Sequence, residues 1–232
     1  MSSEARPAFY ALAPGGWRDY VTLLHLPYTA WHLSYVVIGA CLAPHVPAGR
    51  LALTVAAFFL GLGVGAHALD ELRGRPLGTQ IPERVLWGLA AASIAGAVGL
   101  GLAAAIAWTP WLAAFVGFGG FIVCAYNLEL FGGRFHSDAW FAIAWGGLPL
   151  LAAYFAAAEV VTWQALVAAA FACLLSLAQR RLSTPVRLVR RRLPEGGDTT
   201  RAVLVEGVEG ALRALTSAVI ALAVALVILR AR

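Results

Sequence analysis

The chain has 232 residues, of which 61% are hydrophobic and only 12% charged, and its mean hydropathy is +0.78. Soluble domains carry about 25% charged residues, so a water-soluble globule is excluded and nucleic acid is not an expected partner. All seventeen basic residues are arginine and the formal net charge is +5, so their placement along the chain matters more than their sum.

A hydrocarbon layer about 30 Å thick takes ~20 apolar residues per helical crossing. Hydropathy and breakers predict seven helices, at about 21–43, 51–71, 85–107, 111–131, 139–160, 163–179 and 203–229. Residues 1–232 are thus expected to form a single membrane domain, an all-α polytopic bundle. The separators are turn-like: Pro44, Pro47 and Gly49, then Gly74, Pro76 and Gly78 with Pro82, then Thr109-Pro110. Cys41, Cys124 and Cys173 fall inside apolar runs without CxxC pairing and read as small apolar packers.

Assigning loops alternately to the two sides puts thirteen arginines on one side and three on the other, with Arg213 inside a helix. The positive-inside rule makes the arginine-rich side cytoplasmic. The expectation is a multi-pass protein of the cytoplasmic membrane with its N-terminus inside. The cluster at 180–192 is expected in a cytoplasmic loop, where it serves topology and attraction to anionic lipid.

Ionisable groups at membrane depth are costly, which makes them functional candidates. His67, Asp70 and Glu71, three and four residues apart, share a helix face at the end of the second segment, beside Arg73 and Arg75. Tyr126, Glu129, Arg134, His136 and Asp138 follow the fourth segment on the same side. Glu206, Glu209, Arg213 and Thr216 form one stripe at the start of the seventh.

Carboxylates beside arginines at a membrane surface suit an anionic, phosphate-bearing lipid. Mg²⁺ would bridge carboxylate and phosphate oxygens, and guanidinium forks would bind phosphate directly. The same residues would also serve as an ordinary interfacial helix end with local ion pairs. A histidine-containing metal site drawing on His67, Asp70, Glu129, His136 and Asp138 is a further alternative.

The chain resembles the UbiA superfamily of intramembrane prenyltransferases. Leu24-His25-Leu26-Pro27 is similar to the opening of that family's first helix. Ala66-His67-Ala68-Leu69-Asp70, with Arg75-Pro76-Leu77, resembles its NDxxDxxxD motif and trailing RPL. Tyr126, Arg134, Asp138 and Gly146-Gly147-Leu148-Pro149 resemble its segment between helices 4 and 5, and Thr199 to Gly207 its lead into helix 7. Only Asp70 matches a motif aspartate, and Ser176 to Ser183, where the second acidic motif belongs, holds no carboxylate.

The resemblance implies a helical bundle with a lipid-open cavity and a prenyl diphosphate or polyprenyl-phosphate lipid as substrate, held with Mg²⁺. On that basis Asp70 and Glu71 are the expected catalytic and metal-binding residues. Arg73, Arg75, Tyr126, Arg134, Arg180 and Arg181 are expected at the diphosphate. Glu206, Glu209, His67 and Asp138 are further metal candidates, Glu206 being the more available of the two helix-7 carboxylates because no basic residue follows it at helical spacing. The expected reaction is transfer of the prenyl group to an acceptor. The alternatives are cyclisation of the prenyl cation among aromatic residues such as Trp31, Tyr35, Phe58, Phe59, Phe141 and Trp145, and a non-catalytic scaffold that binds lipid or a partner.

Overall fold

A computed structural model describes residues 7–192 and 199–231, with the side chains of 191–204 left aside. Arg6 and Arg232 of the charge count lie outside the described residues, as do the side chains of Arg191, Arg192 and Arg201 and those of 199–204 in the helix-7 resemblance. Among those described, the chain is all-helical, with eight helices and no strand. They are α1 (Trp17–Leu23), α2 (Leu26–Leu42), α3 (Ala48–Leu72), α4 (Glu83–Ala107), α5 (Leu112–Asn127), α6 (Asp138–Ala158), α7 (Trp163–Arg192) and α8 (Thr199–Arg230). Five of them, α3, α4, α6, α7 and α8, are long and apolar enough to cross a membrane.

The seven predicted segments each correspond to a helix, with three departures. The first segment is divided, because His25 takes a left-handed conformation (φ 45°) between α1 and α2. Its ring is held from both sides there, by the Tyr10 hydroxyl at 2.9 Å and by stacking on His67 at 4.2 Å. The fourth segment stops at Asn127, after which Glu129, Phe131, Gly132 and Gly133 all have positive φ and turn the chain.

The largest departure is α7. Residues 180–192, expected as a loop, continue the helix to Arg192. Arginine is a good helix former, and Ser183 and Val186 sit buried at helical spacing, so the segment has an inward face. Pro185 removes one backbone donor, but packing of that face holds the turn together.

Two helices contain wider π-type turns, Phe59–Ala66 in α3 and Ala142–Gly147 in α6. Such turns are frequent at functional sites. Glycine makes the packing here possible. A Cβ on Gly146 would collide with the backbone of Ala172 in α7, and one on Gly39 in α2 with the carbonyl of Leu150 in α6.

The bundle has two chemically different ends. At one, Arg230 donates to the carbonyls of Cys41 and Ala43, while Arg50 reaches the Ala156 carbonyl and Glu159 and lies over Trp108. At the other lie α1, the 73–82 loop, the 128–137 turn and the arginine-rich end of α7. This separation repeats the loop assignment made from the arginines. In a cysteine-free background in membrane vesicles, Arg134→Cys and Val160→Cys, both exposed positions, are expected to label with an impermeant maleimide from opposite sides. Labelling of both from one side would overturn the crossing order.

Candidate functional site

A cavity of about 450 Å³ opens at the arginine-rich end, and α2, α3, α5, α6 and α7 all reach it. His25, Tyr28 and His32 come from the start of α2, and His67 and Asp70 from the end of α3, with Arg73 just beyond. Tyr126, Glu129 and His136 come from the end of α5 and the turn after it. Phe141 and Trp145 enter from α6, and Gln179, Arg180, Ser183 and Arg187 from α7.

The local reasons are visible in the chain. The π turn of α3 ends at Ala66, and His67 Nδ1 bonds back to the Gly63 carbonyl at 3.1 Å, which presents the ring to His25. His136 bonds the Tyr126 carbonyl at 3.0 Å and stacks on the Tyr126 ring at 4.4 Å. The Tyr126 hydroxyl accepts from Arg180 Nη1. Arg180 also pairs with Asp138 at 2.6 Å and lies over the Phe141 ring at 5.1 Å. One guanidinium is thus fixed by a carboxylate, a phenol and two aromatic faces, an arrangement that favours a rigid cation.

Arg73 pairs with Glu129 at 2.9 Å. Arg187 has no ion-pair or hydrogen-bond partner among the described residues, although it is half-buried and faces the cavity beside Tyr28 and His25. The segment before α1 covers this corner. Tyr10 packs edge-on against Tyr28, and burial pushes its hydroxyl up, so it stays protonated and donates to His25.

The predicted site residues divide sharply. Asp70, Arg73, Tyr126, Arg180 and His67 line the cavity. Glu71 does not. It is fully buried, accepting from Leu77 N (3.0 Å), Thr79 N (2.8 Å) and the Thr79 hydroxyl (2.9 Å). Expected as a metal ligand and catalytic group, it anchors the loop after α3 instead of lining the cavity, because successive helical residues point about 100° apart. Arg75 is similarly spent, donating to the carbonyls of Thr79 and Ile81.

Arg134 and Arg181 are exposed and stand off the cavity wall. Asp138 reaches the site only through Arg180. Glu206 is exposed and away from the cavity, whereas Glu209 is 3% exposed. Glu209 takes a two-pronged bond from Arg190, at 2.7 and 2.9 Å, with Arg213 at 3.6 Å. Glu209 is thus committed to arginine, and Glu206, expected to be the more available of the two, is absent from the cavity wall.

Sequence reasoning missed His32, Gln179, Ser183 and Arg187. A signal existed for the first: His25, Tyr28, His32 and Tyr35 recur at helical spacing within an apolar run. Arg187 was hidden inside an arginine cluster whose plain reading is a solvated loop.

A second, apolar groove of about 120 Å³ runs between α3, α4, α5 and α6, lined by residues such as Phe58, Leu62, Val98, Val116, Val123 and Ala144. Leu62, Val123 and Ala144 lie within about one helical turn of Ala66, Tyr126 and Trp145 on the polar cavity. The linings of the charged cavity and of the apolar groove thus approach each other along α3, α5 and α6. Among known proteins, no family model, no curated protein and no solved structure matches this chain.

Proposed function

We propose that this chain is a seven-crossing membrane protein that binds an isoprenoid diphosphate or polyprenyl-phosphate lipid at its arginine-rich, cytoplasmic end, and that it transfers the prenyl group in the manner of the UbiA superfamily. The observation that carries this reading is the nearness of two spaces, a cavity holding Arg73, Arg180 and Arg187 and an apolar groove whose lining begins about one helical turn away. A phosphate-headed lipid with a hydrocarbon chain is the ligand whose two halves match.

Within this reading, Arg180 and Arg187 grip the phosphate oxygens and Tyr126 orients Arg180. As the bond to the prenyl carbon breaks, negative charge grows on the leaving diphosphate, and fixed guanidinium groups favour that state. The Phe141 and Trp145 rings, stacked at 5.4 Å, form a wall that shields the prenyl carbon from water and faces its developing positive charge.

The residues present do not fit a Mg²⁺ centre built on two acidic motifs. Glu71 is consumed by its loop, Glu129 by Arg73 and Glu209 by Arg190. Among the described residues, no three His, Cys, Asp or Glu side chains gather to hold a metal. Asp70 lines the cavity. The reading therefore assigns the phosphate charge to arginine.

The test is incubation of the purified protein with labelled farnesyl diphosphate, with Mg²⁺ and again with chelator. Saturable binding that survives chelation supports the arginine-based site, and release of diphosphate establishes chemistry. Saturable binding without release identifies the scaffold alternative. No binding in either condition rejects the phosphate-lipid reading.

A further inference from the structure

Helices α4 and α5 form an antiparallel hairpin with unequal arms. α4 has 25 residues and α5 has 16, so at 1.5 Å per residue they measure about 37 and 24 Å. The short link from Trp108 to Trp111 joins them at one end, and their register is fixed along the shared face, where Gly101 meets Val116 and Gly120 meets Val98. Carried to the arginine-rich end, that register sets Asn127 opposite Ala90 or Ala91, and Ala90 clusters with Val123 and Tyr126. α5 therefore stops about 10 Å short of the start of α4 at Glu83.

α4 carries its own depth marks. The exposed Trp87 and the half-buried Trp108 stand about six turns apart, a separation of about 30 Å. That matches a hydrocarbon layer bounded by interfacial tryptophans. On this scale α5 ends inside the Trp87 level, and the chain leaves the helix at the edge of the hydrocarbon. Irregular backbone is tolerated there only when its polar groups are satisfied internally. The turn meets that condition, since the N–H groups of Leu128, Glu129, Leu130, Gly133 and His136 all donate to carbonyls of α5 or of the turn itself.

The side chains of the turn fit the same depth. Phe131 is 67% exposed and has a left-handed backbone, φ 56°, which bulky residues rarely adopt. Its ring packs 6.2 Å from that of Phe121, and both pack on Phe135. Phe121 lies on α5 nearly three turns inside the Trp87 level by the same register, so the Phe131 ring turns back along the outer wall of α5. Leu130 and Phe121 are exposed beside it. Arg134 is exposed and has no hydrogen-bond or ion-pair partner among the described residues. The neighbouring carboxylates are committed, Glu129 to Arg73 and Asp138 to Arg180. An outward apolar shelf thus lies beside an uncommitted guanidinium.

We propose that the 128–137 turn is a docking site for an anionic phospholipid of the bilayer, its acyl chain against Phe121, Leu130 and Phe131 and its phosphate held by Arg134. The guanidinium fork matches phosphate oxygens, and its aliphatic stem lets the charge stand at headgroup level. Anionic headgroups are drawn to the arginine-rich face. This rests on the crossings of α4 and α5 in the proposed function and not on its prenyl chemistry. The bound lipid steadies one wall of the polar cavity, because the same turn brings Glu129 to Arg73 and His136 to Tyr126.

The experiment attaches an environment-sensitive fluorophore, in a cysteine-free background, at Phe131→Cys, at Leu130→Cys and, as a water-side reference, at Glu83→Cys. The purified protein is reconstituted in phosphatidylcholine vesicles carrying an equal minor fraction of either brominated phosphatidylglycerol or brominated phosphatidylcholine. The fluorophores at 130 and 131 are expected to be quenched more by brominated chains than by aqueous acrylamide, and the one at 83 the reverse. At 131, brominated phosphatidylglycerol is expected to quench about twofold or more above brominated phosphatidylcholine, and Arg134→Gln to bring that ratio to one without changing the depth. Acrylamide quenching at 130 and 131 as strong as at 83 would put the turn in water and overturn the proposal. Shielding from both quenchers would show a protein partner in place of lipid and overturn it too. So would equal quenching by the two lipids, or a ratio unmoved by Arg134→Gln. No binding of farnesyl diphosphate would reject the prenyl reading and leave this site standing, whereas labelling of Arg134→Cys and Val160→Cys from one side would remove the crossings themselves.

Discussion

Arg187→Gln is expected to weaken binding of farnesyl diphosphate by tenfold or more while leaving the binding of farnesol unchanged. Hydrogen bonds to charged groups contribute about 1.5–3 kcal/mol, and about 1.4 kcal/mol corresponds to tenfold in affinity. The effect is large because Arg187 is half-buried without an ion-pair partner among the described residues, so its charge is uncommitted and incompletely solvated. Arg73 and Arg180 already share their charge with Glu129 and Asp138. Arg187→Lys tests geometry separately from charge, because a lysine cannot present a planar fork to two phosphate oxygens. Equal loss of farnesol and farnesyl diphosphate binding would show that the change had damaged the apolar groove instead. Equal affinity of Arg187→Gln and wild type for the diphosphate would place the phosphate elsewhere in the cavity.

The contrast between what was readable in the sequence and what was not follows from the kind of physics each feature depends on. The helices between residues 48 and 107 and from 138 onward were legible because length and hydropathy alone decide whether a segment suits a bilayer. The two-ended charge distribution was legible for the same reason. The end of α7 was not, because an arginine run looks alike whether its helix continues or breaks. Only the burial of Ser183 and Val186 distinguishes the two. Arg187 was lost with it.

Asp70 lines the cavity and Glu71 does not, though they are neighbours. Sequence proximity suggested one acidic pair, but the side chains leave the helix on different faces. The π turns were equally invisible, although the glycines at 61, 63 and 65 and at 146 and 147 show where close packing relaxes the helix.

Glu71→Leu is expected to prevent stable folding, and Glu71→Gln to lower stability markedly, each by a route unrelated to metal binding. The carboxylate is fully buried and accepts two backbone N–H groups and one hydroxyl from the loop after α3. Leucine leaves all three donors unmet in a place water does not reach, and each unmet buried group costs about 1–3 kcal/mol. Set against a total stability of about 5–15 kcal/mol for a typical protein, that loss removes most of the margin. Glutamine keeps one acceptor oxygen but turns an amide NH₂ toward a backbone N–H. Asp19 adds a second anchor to the same loop by accepting from Gln80 N at 2.9 Å, so the loop is held from α1 as well as from α3. Thermal unfolding in detergent, followed by tryptophan fluorescence, separates the two variants. Melting of Glu71→Leu within a degree or two of wild type would show that the loop does not depend on this carboxylate.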